Sequence, residues 1–317
     1  MAKNKVLTSI EPILNDAKRI SINLKKVKQF CERFQRRENP NWLGVSPFDL
    51  SILNPEQKLN FLFVLNSISF SYWGRPKWTV KYDGLEFDGA KGMIAGLARA
   101  ITNGIQILNP SYLSEITQEQ LEEILKGNVT ISLIKERREI LNELGKKTLQ
   151  TYSGKFSKIV EKAGGDALEF VEIMLDEFPS FGDYSKYRGK DVYFNKRSQL
   201  LASDISRLFP GLLDKNANQL TACADYKLPQ VLRRFGIFEY DEELSKKIDN
   251  QFEISKGSFD ELEIRAKTIQ AVEIIKGGLE TKIPEITSAE INDYLWIAGQ
   301  MKMPEDRPYH LTRTTSY

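Results

Sequence analysis

Helix start and stop signals recur along this chain, and they constrain its fold more than any other feature. Asn54-Pro55-Glu56-Gln57 pairs a side-chain cap with a proline in the first turn, and the helix it opens is expected to run to Trp73, before Gly74. Thr117 and Gln120 have capping-box spacing, with Gly127 expected to close that helix. Arg137 to Leu149 is charged on one face and apolar on the other. Ala167 to Glu177 ends ahead of Pro179. Thr287 and Glu290 open a helix that carries Tyr294 and Trp296. Strand signals are few. Trp78 to Tyr82 alternates, Asp83-Gly84 is a type I′ turn signal, and Leu85 to Phe87 returns. A second short strand is expected at Asp191 to Phe194. The fold class is therefore mainly α with a small β-hairpin element. With no repeat, low-complexity stretch or long linker, residues 1–317 read as one domain.

Composition excludes several function classes. The chain has 45 basic and 43 acidic residues, a net charge of +2, which argues against a broad surface for duplex nucleic acid. Cys31 and Cys223 make no disulfide framework or zinc motif and read as buried thiols. His310 is the single histidine, so a histidine-rich metal site or a Ser-His-Asp triad has almost nothing to draw on. The basic start at Met1-Ala2-Lys3-Asn4-Lys5 leads into no apolar signal segment, and no run approaches the roughly 20 apolar residues that span a bilayer. The expectation is a cytoplasmic protein without a membrane partner. No phosphate-loop, dinucleotide, zinc-protease or nucleophile-elbow motif occurs.

Five segments could carry chemistry. Asp225-Tyr226-Lys227-Leu228-Pro229-Gln230 holds a carboxylate just before a helix, with Pro229 expected at the first helical position and Gly236 at the end. A carboxylate near the positive end of a helix dipole stays ionised. Held in fixed geometry, it can stabilise a developing cation or orient a water; a simple N-terminal cap accounts for the same residues. Asn66, Phe70 and Trp73 fall at i, i+4 and i+7, one face of the expected helix, which suits stacking and reading a flat heterocycle, or equally a core-packed aromatic face. Phe194 to Gln199 brings Lys196 and Arg197 to a helix start, where an anion binds well and a solvated basic turn is also common. Glu261 and Arg265 are spaced to pair on a helix surface, while Glu263 points elsewhere, toward a cationic ligand group. A terminal segment usually frays, yet residues 307–317 hold the one histidine with Arg307, Arg313, Tyr309 and Tyr317, which suggests docking.

Taken together, these segments resemble the queuosine salvage family, the queuosine 5′-phosphate N-glycosylase/hydrolases. The resemblance rests on Ser67-Ile68-Ser69-Phe70-Ser71-Tyr72-Trp73, Glu136-Arg137 with Ile140-Leu141-Asn142-Glu143, Phe178-Pro179-Ser180, and Lys196-Arg197-Ser198-Gln199. It continues through Ala224 to Gln230, Glu263-Ile264-Arg265, Asp293-Tyr294-Leu295-Trp296 and Pro308-Tyr309-His310. The blocks follow the family's order from about residue 60 to the end; residues 1–55, read as an N-terminal helical part, match weakly. Three positions depart from the pattern: Asn66, Ser69 and Lys227 stand where relatives often carry Asp, Asn and Arg. The first removes a charge that could read a donor-rich base edge.

The resemblance implies a helical fold related to DNA glycosylases. It also implies hydrolysis of queuosine 5′-monophosphate to queuine and ribose 5-phosphate, for reuse of queuine in tRNA. Cleaving the glycosidic bond builds positive charge on the sugar, so Asp225 is expected to be the catalytic group, as electrostatic stabiliser, base or nucleophile. Queuine is a 7-deazaguanine, with a carbon where purine nucleosidases protonate a nitrogen, which assigns Asp225 to the sugar side. Asn66, Phe70 and Trp73 are expected at the base, Glu263 or Asp293 at the side-chain amine, and Lys196 at the phosphate with Arg265, His310 and Arg313 behind it. Tyr226, Lys227 and Tyr317 complete the expected substrate-binding set. No cofactor or metal is expected, nor direct contact with nucleic acid; the sequence leaves the oligomeric state open. The competing readings are a base-excision glycosylase acting on DNA or RNA, and a non-catalytic protein that binds the queuine nucleotide.

Overall fold

The computed structural model describes residues 4–36 and 41–317. The basic start at Met1-Ala2-Lys3 lies outside them. The described chain is mostly helix, with three two-stranded antiparallel pairings. Among the described residues no helix is long and apolar enough to cross a membrane. The Asp83-Gly84 hairpin forms as expected: Thr79–Tyr82 pairs with Leu85–Asp88, and both turn residues have positive φ, as a type I′ turn requires. The expected second strand is Lys190–Tyr193, paired with Tyr184–Tyr187 across an Arg188-Gly189 turn. The third pairing, Ile20–Ile22 with Phe238–Tyr240, joins segments far apart in sequence and has no local signal.

The capping signals hold at several helix starts. Asn54 with Gln57, and Thr117 with Gln120, form complete capping boxes. Ala167–Glu177 has the expected bounds. Thr287 accepts from Glu290 N, but the Glu290 carboxylate goes to Arg36 instead of closing the box. The helix after Thr117 stops at Ile124, and Gly127 is needed for another reason: a Cβ there would lie 2.2 Å from Thr79 O. The helix expected at Arg137 to Leu149 extends to Ile134–Tyr152.

The largest departure follows Asn54. Its helix ends at Ser67, not at Trp73, so Asn66, Phe70 and Trp73 do not share a helix face. The serines are one cause. Ser67 Oγ donates to Val64 O at 2.8 Å and Ser69 Oγ to Leu65 O at 2.7 Å, which competes with helix continuation. Arginines are another. The buried Arg137 donates to the carbonyls of Ile68, Phe70 and Ser71, and buried Arg197 donates to those of Ser67 and Ser180. These side chains satisfy a buried irregular backbone that could not otherwise exist. The C-terminal segment covers the rest and is docked, as expected. Ser71 N donates to Tyr317 O at 2.8 Å, Trp73 Nε1 to Thr312 O at 3.2 Å, and Ile254 N to Leu311 O at 2.7 Å.

Two main apolar cores result. One gathers the helices between residues 55 and 208; the other gathers Leu24–Arg33, Lys227–Arg234, Phe259–Leu279 and Ser288–Ala298. Trp296 packs against both. A cavity opens where they meet, lined by Trp42, Tyr72 and Leu200 from the first core and Leu228 from the second.

Candidate active site

The cavity has an empty volume of about 1070 Å³, which includes the open solvent at its mouth. Of the residues singled out from sequence, Asp225, Lys196, Tyr226, Lys227 and Tyr317 line it.

Asp225 follows the buried, irregular run 220–224. Its Oδ1 accepts from Lys227 N at 2.8 Å and Leu228 N at 3.1 Å, so the cap reading and the fixed-carboxylate reading both hold. The helix begins at Lys227, with Pro229 as its third residue rather than its first; Gly236, with φ of 69°, follows its end. No protein donor among the described residues reaches Asp225 Oδ2. The run before it is pinned along its length: Thr221 N donates to Gln199 Oε1 at 2.9 Å, Cys223 N to Asn292 Oδ1 at 2.9 Å, and Arg265 Nε to Ala224 O at 3.0 Å.

Lys196 is the first residue of the helix Lys196–Leu208, entered from Asn195 in the left-handed region. Its side chain is only 6% exposed, yet no hydrogen bond or ion pair engages its Nζ among the described residues. Lys196 lines the cavity, so its unpaired ammonium is available to a ligand there.

Tyr226 and Tyr309 lie with ring centroids 4.7 Å apart, and Lys227 Nζ is 5.3 Å from the centre of the Tyr309 ring. Burial, with Tyr309 and Asp225 adding to it, pushes the Tyr226 phenol well above its usual range. Burial lowers Lys227, against the pull of Asp225. Tyr317 Oη donates to Glu261 Oε1 at 3.1 Å.

The other expected site residues do not line the cavity, and each has a physical reason. Asn66 is fully buried and donates to Asp204 Oδ2 and Leu62 O, both at 3.1 Å. Phe70 is fully buried with the Arg137 guanidinium 4.1 Å above its ring. Trp73 lies under Arg313 at 4.6 Å, and Arg313 also pairs with Glu253 at 2.9 Å. Glu263 Oε1 accepts from Arg19 N and Ile20 N, both at 2.8 Å. Arg265 and Glu261, expected as a surface pair, are both 1% exposed, and Arg265 is bound through both Nη atoms to Asp183. Asp293 Oδ2 accepts from Trp42 N at 2.9 Å and pairs with Arg207 at 2.5 Å. His310 faces Tyr317 Oη at 3.3 Å, and burial, aided by Arg265, drives its pKa down to about 3.

The lining also contains residues that sequence reasoning did not assign to the site. Trp42 meets Trp296 edge to face at 5.2 Å; Tyr72 and Tyr309 add aromatic surface; Lys77, Asp88 and Lys302 stand among the polar groups. Trp42 has no local signal, because its position is set from far away: Nε1 donates to Asp204 Oδ1 at 2.9 Å and its backbone N–H to Asp293. Tyr309 could have been found, since it lies in the tail already marked for docking.

Burial, with the nearby Asp293 adding to it, lifts Asp204 to about 7. Its unfolded value is about 3.9. The folded state therefore holds a proton that the unfolded chain releases between those values. This favours folding in acid and is lost as pH rises toward 7. Asp204→Asn keeps an acceptor for Trp42, and Asn66 Oδ1, which has no partner, can turn to accept from the new amide. Wild type is expected to lose roughly 2 kcal/mol relative to Asp204→Asn between pH 5 and pH 8, read by urea denaturation at each pH. A constant difference would place the ionisation elsewhere.

Sequence comparison adds to this geometry. The model of the family described as queuosine salvage protein matches residues 51–317. A Sphaerobacter thermophilus protein named queuosine 5′-phosphate N-glycosylase/hydrolase is 36% identical, covering 98% of this chain and 97% of its own. Proteins of the same name from Mus musculus and Bos taurus are 32% and 33% identical, each over 84% of this chain and 85% and 84% of their own. The chain belongs to the queuosine salvage protein family.

Proposed function

We propose that this protein hydrolyses the N-glycosidic bond of queuosine 5′-monophosphate, releasing queuine and ribose 5-phosphate. The observation that carries the reading is one cavity holding both Asp225, fixed through Oδ1 with Oδ2 open, and the unpaired ammonium of Lys196. The named activity of its relatives agrees with it.

The roles follow from the chemistry. As the C1′–N bond breaks, its electron pair leaves with the base and positive charge builds on the ribose. Asp225 supplies the opposing negative charge, preorganised by two backbone N–H groups rather than by solvent. Water then bonds to C1′; its proton passes to Asp225 and on to the base nitrogen, so one water is consumed and no charge is left over. Tyr226 stays a phenol and remains a hydrogen-bond donor beside Asp225. Trp42 and Trp296 take over the base-stacking role expected of Phe70 and Trp73, which are engaged elsewhere. Asp88, which lines the cavity and pairs with Lys77 through Oδ2 alone, replaces Glu263 and Asp293 as the carboxylate for the side-chain amine, because neither of those reaches the cavity. Lys196 takes the phosphate.

The fold is read as a single helical domain related to DNA glycosylases, adapted to a free nucleotide in the cytoplasm. A net charge of +2 gives little support for an extended nucleic-acid track. The test incubates purified protein with queuosine 5′-monophosphate, queuosine and intact tRNA, and follows free queuine by chromatography. Release from the monophosphate alone is expected. Binding without release would make the protein a carrier, and release from tRNA would make it a base-excision enzyme.

A further inference from the structure

Arg265 was expected to touch phosphate, but its guanidinium is spent inside the protein. Nη1 and Nη2 donate to Asp183 Oδ1 and Oδ2 at 2.8 and 2.6 Å. Nε donates to Ala224 O at 3.0 Å, one residue before Asp225. The planar group also lies 4.0 Å from the centre of the Phe194 ring and 4.4 Å from that of Tyr317. Asp183 passes the connection on. Its Oδ2 accepts from Lys196 N at 2.9 Å, and its carbonyl accepts from Phe194 N at 2.9 Å and Asn195 N at 3.3 Å. Both side chains are 1–2% exposed, and Arg265 stands on the 21-residue helix Phe259–Leu279.

One buried ion pair therefore joins the backbone at the start of the Lys196 helix to the residue before Asp225; Gln199, bonded to Thr221, and Cys223 Sγ, 3.6 Å from Lys196 O, tie the same two segments further back, and the ion pair is the link adjacent to Asp225. A bidentate fork has a defined length and plane, which a single ammonium or a water bridge lacks. We propose that Arg265 and Asp183 are positioning residues that set the distance from Lys196 to Asp225, and so match the cavity to a ribose carrying a 5′-phosphate. This rests on the reading of Lys196 as phosphate ligand and Asp225 as the group at C1′. Neither Arg265 nor Asp183 touches substrate. Their effect is specificity for the phosphorylated substrate, because only that substrate must engage both ends of the ruler.

The test compares wild type with Arg265→Lys, which keeps the charge and loses the fork, and with Asp183→Asn, which keeps the shape and weakens the pairing. In wild type, kcat/KM for queuosine 5′-monophosphate should exceed that for queuosine. In both variants the ratio of the two should fall at least tenfold, mostly through the monophosphate, since a misplacement of about 1 Å can cost on the order of 10²-fold in rate. A merely structural role would lower both substrates alike and leave the ratio unchanged, which would overturn the proposal while the function stands. A second arm does not depend on turnover. Calorimetry with ribose 5-phosphate should give binding at least tenfold weaker in either variant, with queuine binding changed less than threefold. Wild type that binds no ribose 5-phosphate, or variants that bind it as wild type does, overturn the ruler whether or not queuine is released. If Arg265→Lys does not fold, Asp183→Asn decides the matter alone.

Discussion

Asp225→Asn is expected to slow queuine release from queuosine 5′-monophosphate by about 10²–10⁴-fold while leaving substrate affinity within a few-fold. The substitution is unusually clean here. Asn retains a side-chain oxygen to accept from Lys227 N and Leu228 N, so the start of the helix Lys227–Arg234 is preserved. Its amide occupies the volume of Oδ2, so the cavity keeps its shape. What disappears is the negative charge beside C1′ and the site that takes the proton of the attacking water. Both act in the transition state more than in the ground state, so the loss falls on kcat rather than on KM. Single-turnover measurement of queuine release, with calorimetric binding of the monophosphate beside it, reads the two separately. Turnover within tenfold of wild type would remove Asp225 from the chemistry and leave it a helix cap.

The asymmetry between what local sequence revealed and what it hid has a physical origin. Asp225 and Lys196 were readable because each sits at a helix start, where the residue's role depends on neighbours two or three positions away. The Asp83-Gly84 turn and the boxes at Asn54 and Thr117 were readable for the same reason. The helix end at Ser67 was not. Its termination needs Arg137 and Arg197, about 70 and 130 residues away, to take the carbonyls that a longer helix would have satisfied itself. The spacing of Asn66, Phe70 and Trp73 was thus a pattern without a helix beneath it. Phe70 instead became the apolar face on which Arg137 rests. Glu263, Arg265 and Asp293 were expected at the substrate's amine and phosphate, but Glu263 holds the start of the Ile20–Ile22 strand, Arg265 the residue before Asp225, and Asp293 the backbone of Trp42. Charged groups that hold a site and charged groups that contact a ligand carry the same local signal; only the partners they find in the fold separate them.

Lys196→Met is expected to lower kcat/KM for queuosine 5′-monophosphate by about 10²–10³-fold and that for queuosine by less than about threefold. The first figure, about 2.7–4.1 kcal/mol, lies within the roughly 2–5 kcal/mol typical of removing one partner of a buried, hydrogen-bonded charge pair. Lys196 is 6% exposed, and its ammonium has no protein partner among the described residues, so no contact that the fold depends on is lost with the charge. Methionine keeps the length and apolar contacts of the stem and discards the charge. The ligand-free variant should therefore melt no lower than wild type. Added inorganic phosphate should raise the melting temperature of wild type, since a ligand that binds only the folded state stabilises it, and should leave the variant unmoved. Stability retained with activity lost on the phosphorylated substrate alone is the signature of a residue kept for its ligand. Equal losses on nucleotide and nucleoside would instead mark Lys196 as support for the wall around Asp225, with the phosphate held by Lys302 or Lys77 at the same cavity.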